Sequence, residues 1–391
     1  MRGETRSGEI VWLAVAVLFI AGGIYLFRQP ARIETYQTKT LIRLNQGVPA
    51  STLLLQAFQA NKTQQYSGIT NAEVFADGHW YNSSARIAKA PDHLTLDFFS
   101  GANTGLECGY SGNWMWRKKS NAPLIPYAKL NEGLARESET RLQLLLHNYE
   151  VTWKGTANID QRPADLLEIT PRHAMIDASG PAKRIWIDRA TKLPLRIETF
   201  NYQMTPVMRS TLSDLQLTDQ PATSFVTDES IQAALAQTPW TAYQMGNNYD
   251  EAGRIAGVFP PIPTYVPSGF MREEVGLHRC SPAAATPDDS CYASLSRYSD
   301  GMNSLTLFAL NPNCANQLHL DQTPQSQEQN LDEQIYVFGP GAVSTRTTKA
   351  GTIVAVADFS PAELRRVLNS IEIRTYSMTS ELNGNANAAS D

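Results

Sequence analysis

The stretch from Asn148 to Phe200 constrains this chain more than any other: NYEVTWKGTANIDQRPADLLEITPRHAMIDASGPAKRIWIDRATKLPLRIETF. Short β-branched, aromatic and aliphatic runs alternate with Lys-Gly, Asp-Gln-Arg-Pro, Ser-Gly-Pro and Asp-Arg-Ala-Thr-Lys punctuation, the pattern of four successive antiparallel strands joined by polar turns. Every second side chain of a strand faces the same way. Tyr149, Val151 and Trp153 therefore share a face, as do Ile185 and Ile187, and after the turn Leu193, Leu195 and Ile197. Glu150, Thr152, Lys154, Arg184, Asp188, Arg196 and Glu198 fall on the opposite face.

A sheet apolar on one side must cover that side with a helix, a second sheet or a bound apolar molecule. At 391 residues the chain is too long for one compact core, so two domains with connecting segments are expected. A net charge of -5 without acidic or basic blocks argues against a nucleic-acid partner.

Ile10 to Phe27 is an uncharged run that as a helix would span about 27 Å, enough for a bilayer core. No Ala-x-Ala-like site closes the run and no Cys follows it to accept a lipid, so it reads as a single-pass anchor rather than a cleaved signal. Arg2 and Arg6 precede it, whereas Arg28, Arg32, Lys39 and Arg43 follow, a count that alone would put the bulk of the chain inside. The cysteines point the other way. Cys280 and Cys291 bracket SPAAATPDDS, a Pro, Ala and Asp loop with nothing to hold it closed by packing. A disulfide between them would stabilise by about 2 to 3 kcal/mol, and the alternative is two unpaired thiols on adjacent strands. Cys108 and Cys314 are a possible second pair. No CxxC or paired-His spacing marks a metal site.

After a polar stalk comes a helix from about Ser51 to Gln64, with Leu54, Leu55, Phe58 and Lys62 on one narrow stripe. Strands resume at Tyr66, with Asp77-Gly78 and Ser100-Gly101 where hairpin turns need positive φ. Leu94, Leu96 and Phe98 alternate onto one face. Leu142, Leu145, Leu146 and Tyr149 lie at helical spacing, and a second helix can cross the sheet there. Trp114 and Trp116 share a strand face and fit either a cavity lining or the aromatic core of a curved sheet; Arg117, Lys118 and Lys119 fit an acidic partner or a solvated strand end. In the C-terminal part Asp300-Gly301 turns the chain. The closing helix has Ser360 as cap, Pro361 in its first turn, Glu363 to complete a capping box, and Leu364, Val367, Leu368 and Ile371 as its buried stripe.

Catalytic patterns are missing: there is no GxSxG, HExxH, P-loop or GxGxxG, and the six histidines are scattered. His173 reads as a turn residue and Asp188 as a turn-initiating carboxylate, so no enzyme and no cofactor is expected.

The order of a helix, YSG at a first strand, APDHLTLDF, GNWMW, a leucine-rich helix ending in NYEVTWKG, RPADLLEITPR, RIWIDRATKLPLRIETF and RSTLSDLQL resembles the MucB/RseB-type regulators of anti-sigma factors. Those belong with the LolA/LolB lipoprotein carriers. The resemblance covers roughly residues 51–226, most specifically Trp186-Ile187-Asp188 and Leu193-Pro194-Leu195-Arg196, and FPPIPTYVPSGF resembles the opening of the group's smaller second domain. It implies an α+β chain: a LolA-like curved antiparallel half-barrel with covering helices around an apolar cavity, plus a smaller α+β C-terminal domain.

The boundaries expected are a tail 1–9, an anchor 10–27, a stalk 28–50, a half-barrel 51–227, a linker 228–261, an α+β domain 262–376 and a disordered tail 377–391. The cavity would be lined by Leu94, Leu96, Phe98, Trp114, Trp116, Val151, Trp153, Ile185, Ile187, Leu195 and Ile197. The function implied is a tethered extracytoplasmic regulator that holds an anti-sigma factor and senses an acyl lipid or lipoprotein. A lipid or lipoprotein carrier and a ligand-free envelope scaffold are the alternatives. Tethering favours a sensor over a carrier.

Overall fold

The computed structural model describes residues 48–76, 79–101, 103–129, 134–172, 182–201, 205–218, 225–237, 243–246, 248–280, 291–317, 334–338, 341–358 and 360–376. The expected anchor, most of the stalk, the Asp77-Gly78 turn, His173, the 281–290 loop and the tail from 377 lie outside these residues. Among the described residues no helix is long and apolar enough to cross a membrane. The chain divides into two units, one of residues 1–238 with 300–303 and 337–341, the other of residues 239–299, 304–336 and 342–391.

The first unit runs α1 (Ala50–Thr63), β1 (Tyr66–Ala76), β2 (His79–Ala90), β3 (His93–Gly101), β4 (Leu106–Ser111), β5 (Trp114–Lys119), β6 (Ile125–Lys129), α2 (Leu134–Asn148), β7 (Tyr149–Ile159), β8 (Arg162–Pro171), β9 (Lys183–Asp188), β10 (Pro194–Phe200), β11 (Pro206–Leu217) and α3 (Asp228–Gln237). The stretch 148–200 is four strands, as its alternation requires. Two antiparallel meanders, β1 to β6 and β7 to β11, meet where the first strand pairs with the last, from Tyr66 opposite Leu217 to Val74 opposite Met208. The spatial order is β6-β5-β4-β3-β2-β1-β11-β10-β9-β8-β7. Among the described residues β6 and β7, the two ends of this order, do not pair with each other, so the order does not close on itself and the sheet is open.

Local chemistry sets the turns. Asp160 and Gln161 both take positive φ, 47° and 61°, between the paired Ile159 and Arg162, as a two-residue hairpin loop requires. Asp188 starts the next turn: its Oδ2 accepts from Thr191 N at 3.0 Å, Thr191 Oγ1 at 2.6 Å and Arg162 Nη2 at 2.7 Å. The turn-initiating role read from sequence is thus its role in the fold. It is fully buried, however, and not a member of a wet face. Register shifts at Ser67/Ile69, Ser84/Ala85, Trp153/Gly155 and Pro194/Arg196 add the local twist and bend that bulges supply.

The polar face carries a ladder of charge across six strands. Lys154 Nζ and Arg184 Nε each stand 3.0 Å from Glu168, Glu198 is registered opposite Arg184, and Arg209 bridges Glu198 at 2.9 Å and Glu73 at 3.0 Å. Signs alternate along the row, so each strand finds opposite charge on its neighbours and like charge nowhere adjacent.

The second unit contains β12 (Tyr243–Gly246), α4 (Tyr249–Ala256), β13 (Met271–Arg279), β14 (Tyr292–Ser299), β15 (Ser304–Leu310), α5 (Pro312–Gln317), the start of β16 (Gln334–Phe338), whose Val337 and Phe338 count with the first unit, nearly all of β17 (Gly341–Thr348), β18 (Gly351–Ala357) and α6 (Pro361–Asn369). Its antiparallel order is β12-β13-β14-β15-β18-β17. The chain thus belongs to the α+β class, with a large open antiparallel sheet and a smaller sheet-and-helix unit. Closing helix α6 starts as its sequence dictates. Ser360 Oγ accepts from Glu363 N at 3.3 Å, Pro361 sits in the first turn, and Leu364, Val367 and Leu368 are fully buried. The Glu363 carboxylate does not complete a capping box but accepts from Tyr265 Oη at 2.6 Å. At the other end Arg346 Nη1 donates to Leu368 O and Ile371 O, satisfying carbonyls that a helix terminus leaves open. Of the span expected as linker, 228–237 is helix α3, packed on β6 of the first unit, and 249–256 is helix α4, packed on β13 and β14 of the second.

The structure corrects the cysteine pairing. Cys291 is joined to Cys314 of α5, with Cα atoms 5.3 Å apart, and Cys280 and Cys108 are thiols. The reason is topological: β15 returns antiparallel along β14, with Ala309 opposite Ser294, so the chain just after β15 comes back beside the start of β14. Linear spacing hides that approach.

Burial alone would raise the Asp188 carboxyl, but the hydrogen bonds from Arg162 and Thr191 more than offset it and hold the group below the ordinary carboxylate range. Its stabilisation is present above the unfolded-state value and is lost as pH falls through the depressed folded one. Asp188→Asn is therefore expected to lower stability by about 1 to 3 kcal/mol near neutral pH, with the deficit closing below about pH 4, as read from urea midpoints along a pH series. Ser360→Ala is expected to cost about 1 kcal/mol in the same assay through loss of the α6 cap.

Candidate functional site

Strand registers decide which side of the larger sheet each candidate side chain occupies. Ile185 lies opposite Ile197, Ile197 opposite Ser210, Ser210 opposite Ala72 and Ala72 opposite Ser83, and from there the row continues through Ile87 opposite Leu96. Leu94, Leu96, Phe98, Val151, Trp153, Ile185, Ile187 and Ile197 therefore share one side. Over β7 to β10 this side is filled by the protein itself: Ala50, Leu53, Leu54 and Ala57 of α1 and Leu145 and Leu146 of α2 pack with Tyr149, Val151, Trp153, Leu167, Ile169, Ile185, Ile187 and Ile197. Further along α1, Ala60 meets Tyr66, Leu193 and Leu212, with Ile87 partly buried against them.

Three candidates fall elsewhere. Trp116 is opposite Gly109, Gly109 opposite Thr95 and Thr95 opposite Ala88, which puts Trp114 and Trp116 on the reverse side from Leu94, Leu96 and Phe98. On that reverse side Phe225 lies 5.2 Å from His93, ring to ring, Ser111 Oγ donates to Asp228 Oδ1 at 3.1 Å, and α3 packs on β6 with Ile231 fully buried. Trp116 itself is 0% exposed, a core aromatic. Leu195 is turned over by the Pro194/Arg196 shift and packs with Ile159, Ala164 and Trp186, away from Leu193 and Ile197. In a bulge two residues of one strand face one of its partner, and the side chain at the bulge is re-aimed.

What remains partly open on the helix-bearing side is an apolar strip on β2, β3 and β11. Ile87, Leu96, Phe98 and Met208 are all only partly buried, whereas neighbouring Leu94 and Val74 are buried. Near the end of α1 the floor turns polar. Tyr66 Oη donates to Asn61 Oδ1 at 2.8 Å, and buried Lys89 donates to Ala90 O at 2.5 Å with its ammonium 5.7 Å from the Tyr110 ring. Burial, with a smaller contribution from Tyr110, pushes the Tyr66 phenol upward, so it stays a neutral donor. Burial also pushes the Cys108 thiol up to about 12, which leaves it unreactive.

A polar constellation in the first unit had no signal in the sequence beyond an Asp-Gly turn. Tyr149 Oη donates to Asp300 Oδ2 at 2.5 Å, Met302 N and Asn303 N donate to Asp300 Oδ1 at 2.9 and 2.7 Å, and Asn148 Nδ2 donates to Asp300 O at 2.9 Å. Gly301 has φ +97°, and a Cβ there would stand 2.3 Å from Leu145 N and 2.5 Å from Arg141 O of α2, so the close approach requires glycine. Burial raises the Asp300 carboxyl despite these donors. Among the described residues no group of three or more His, Cys, Asp and Glu side chains is placed to hold a metal ion. The helix-bearing side thus combines partly open apolar area with a few fixed polar groups.

Residues 115–236 match the family model described as the MucB/RseB N-terminal domain. No curated protein sequence matches the chain. Among solved structures, the complex of Pseudomonas aeruginosa MucA/MucB is 17% identical, with a TM-score of 0.50 over 84% of this chain and 99% of that one. MucB in complex with MucA(peri) gives 16% identity and a TM-score of 0.49 over 84% of this chain and all of that one. A LolA superfamily protein from Nitrosomonas europaea is 15% identical with a TM-score of 0.24 over 47% of this chain and all of that one. Residues 115–236, from β5 to α3, are thus similar to the MucB/RseB N-terminal domain, and the fold is shared with the MucA/MucB structure over 84% of the chain.

Proposed function

We propose that this protein is an extracytoplasmic regulator that captures the exposed segment of a membrane-spanning anti-sigma factor, with an acyl lipid on the apolar strip as modulator. The observation that carries the reading is the MucB/RseB N-terminal domain at residues 115–236, within a fold shared across 84% of the chain with a MucB solved together with MucA. The cystine between Cys291 and Cys314 suits an oxidising compartment. Ile10 to Phe27 supplies a tether long enough for the cytoplasmic membrane. Binding, not catalysis, is the role that the apolar strip and the inert buried thiol and phenol support.

Among the described residues, lipid on our reading meets Ile87, Leu96, Phe98 and Met208, because α1 and α2 already occupy the other half of that side. That same occupancy favours a second reading, an envelope scaffold that holds its partner with no ligand.

Two measurements separate these. Isothermal titration of the full chain, reconstituted in nanodiscs, with the extracytoplasmic segment of an anti-sigma factor from the same organism is expected to give saturable one-to-one binding; no heat and no co-elution would sink the regulator. Native mass spectrometry with palmitoyl-oleoyl phosphatidylglycerol is expected to show a single adduct that Leu96→Asp reduces about tenfold, a transition worth about 1.4 kcal/mol. Leu217→Asp, on a residue 55% exposed, should leave the adduct unchanged. Partner binding without any adduct would select the scaffold.

A further inference from the structure

Three of the four cysteines lie in one cluster of the second unit. Cys291 and Cys314 pack with Ala293, Leu310 and Ala315, and Cys280, Phe308 and Val354 pack against them. Cys280 N donates to Cys291 O at 2.8 Å, continuing the β13–β14 ladder in which Arg279 is opposite Tyr292. Directly opposed residues in a hydrogen-bonded antiparallel pair have Cα atoms about 5.5 Å apart, inside the span of about 4.4 to 6.8 Å that a disulfide bridges. The bond to Cys314 spans 5.3 Å. Cys291 thus stands within disulfide reach of two cysteines at once, one on the neighbouring strand and one on α5, and is bonded to only one of them.

We propose that Cys280, Cys291 and Cys314 form an intramolecular thiol–disulfide exchange site with two covalent isomers. The Cys280 thiolate attacks Cys291 Sγ, the Cys280–Cys291 bond forms as the Cys291–Cys314 bond breaks, and Cys314 leaves as the thiolate. The proton given up by Cys280 ends on Cys314. One disulfide and one thiol are present before and after, so the step needs no oxidant or reductant. Its consequence is a change of tether. In the first isomer α5 is fastened to β14; in the second α5 is released and the β13–β14 hairpin is closed through residues 281–290.

The environment makes the exchange slow and controllable. The side chains of the cluster are apolar, and the Cys280 thiol donates a hydrogen bond to the backbone His278 O at 3.6 Å. Burial keeps the His278 imidazole neutral, with its value lowered to about 4, and pushes the Cys280 thiol up to about 11. The attacking thiolate is scarce at neutral pH, and its fraction rises about tenfold per pH unit below that value.

The test uses the full-length protein purified without reductant. After acid quenching, denaturation and alkylation with N-ethylmaleimide, peptide mapping should place label on Cys108 and Cys280. After native incubation near about pH 9.5 without added thiol, label should move from Cys280 to Cys314 while Cys108 remains labelled and the total of free thiols stays constant. The rate should not change on dilution. Cys280→Ser should never expose Cys314. Retention of all label on Cys280, or labelling of Cys314 in Cys280→Ser, overturns the proposal. Cys314→Ser checks the end point without relying on rate: with oxidised glutathione it should yield the Cys280–Cys291 bond. A folded Cys314→Ser chain that keeps both thiols, by mapping and circular dichroism, also overturns it.

Discussion

The pairing of β1 with β11 is the contact on which the larger unit depends. Each flanking meander is made of local hairpins, but the strands that unite them are the first and last of the sheet, and Tyr66 must find Leu217 across the whole intervening chain. Closing so long a loop carries an entropic cost that only subsequent burial offsets. That burial comes from the same pairing, because it brings Leu212 to Tyr66 and Leu193 beneath the end of α1. Without it the sheet would be two separate ribbons, each with a raw edge.

Once the halves are joined, the two sides of the sheet take different chemistry. One side is closed by α1 and α2 over β7 to β10 and left partly open at Ile87, Leu96, Phe98 and Met208. The other is held in register by the charge row from Lys154 to Glu73 and, around β3 to β6, by the segment that contains Phe225 and α3. Exposed single ion pairs stabilise little, but a row of alternating sign shared by six strands loses its opposite-charge pairs on both sides of any strand that slips. Register in turn sets which apolar side chains meet the helices. Specificity of the apolar side is therefore written partly on the charged side.

Polar groups taken out of water in this fold are paired where their position matters. Asp188 at the β9–β10 turn gathers Arg162 and Thr191, and Asp300 gathers Tyr149 and two backbone amides. The two carboxylates shift in opposite directions because Asp188 faces a guanidinium and Asp300 has only neutral donors. The first favours the charged form and the second resists it.

The sequence by itself determined what depends on neighbours in the chain. The four strands of 148–200 followed from alternation and turn residues, the existence of α1 from the helical spacing of its leucines, although Leu55 of the expected stripe is exposed and Ala57 and Ala60 are buried instead, the start of α6 from Ser360 and Pro361, and the resemblance that residues 115–236 match from motifs along the chain. Only the tertiary structure decided the rest. The parity of Leu195 depended on a bulge, the side taken by Trp114 and Trp116 depended on their register through Gly109, and the partner of Cys291 depended on the antiparallel return of β15. The Asp300-Gly301 pair marked a turn, but nothing local marked the docking of Asp300 on Tyr149 and of Gly301 against Leu145. Periodicity reports which side chains share a face within one strand. Which faces meet, and which residues far apart in sequence come within bonding distance, is fixed by strand register and chain return, and these are chosen by the summed burial of the whole sheet.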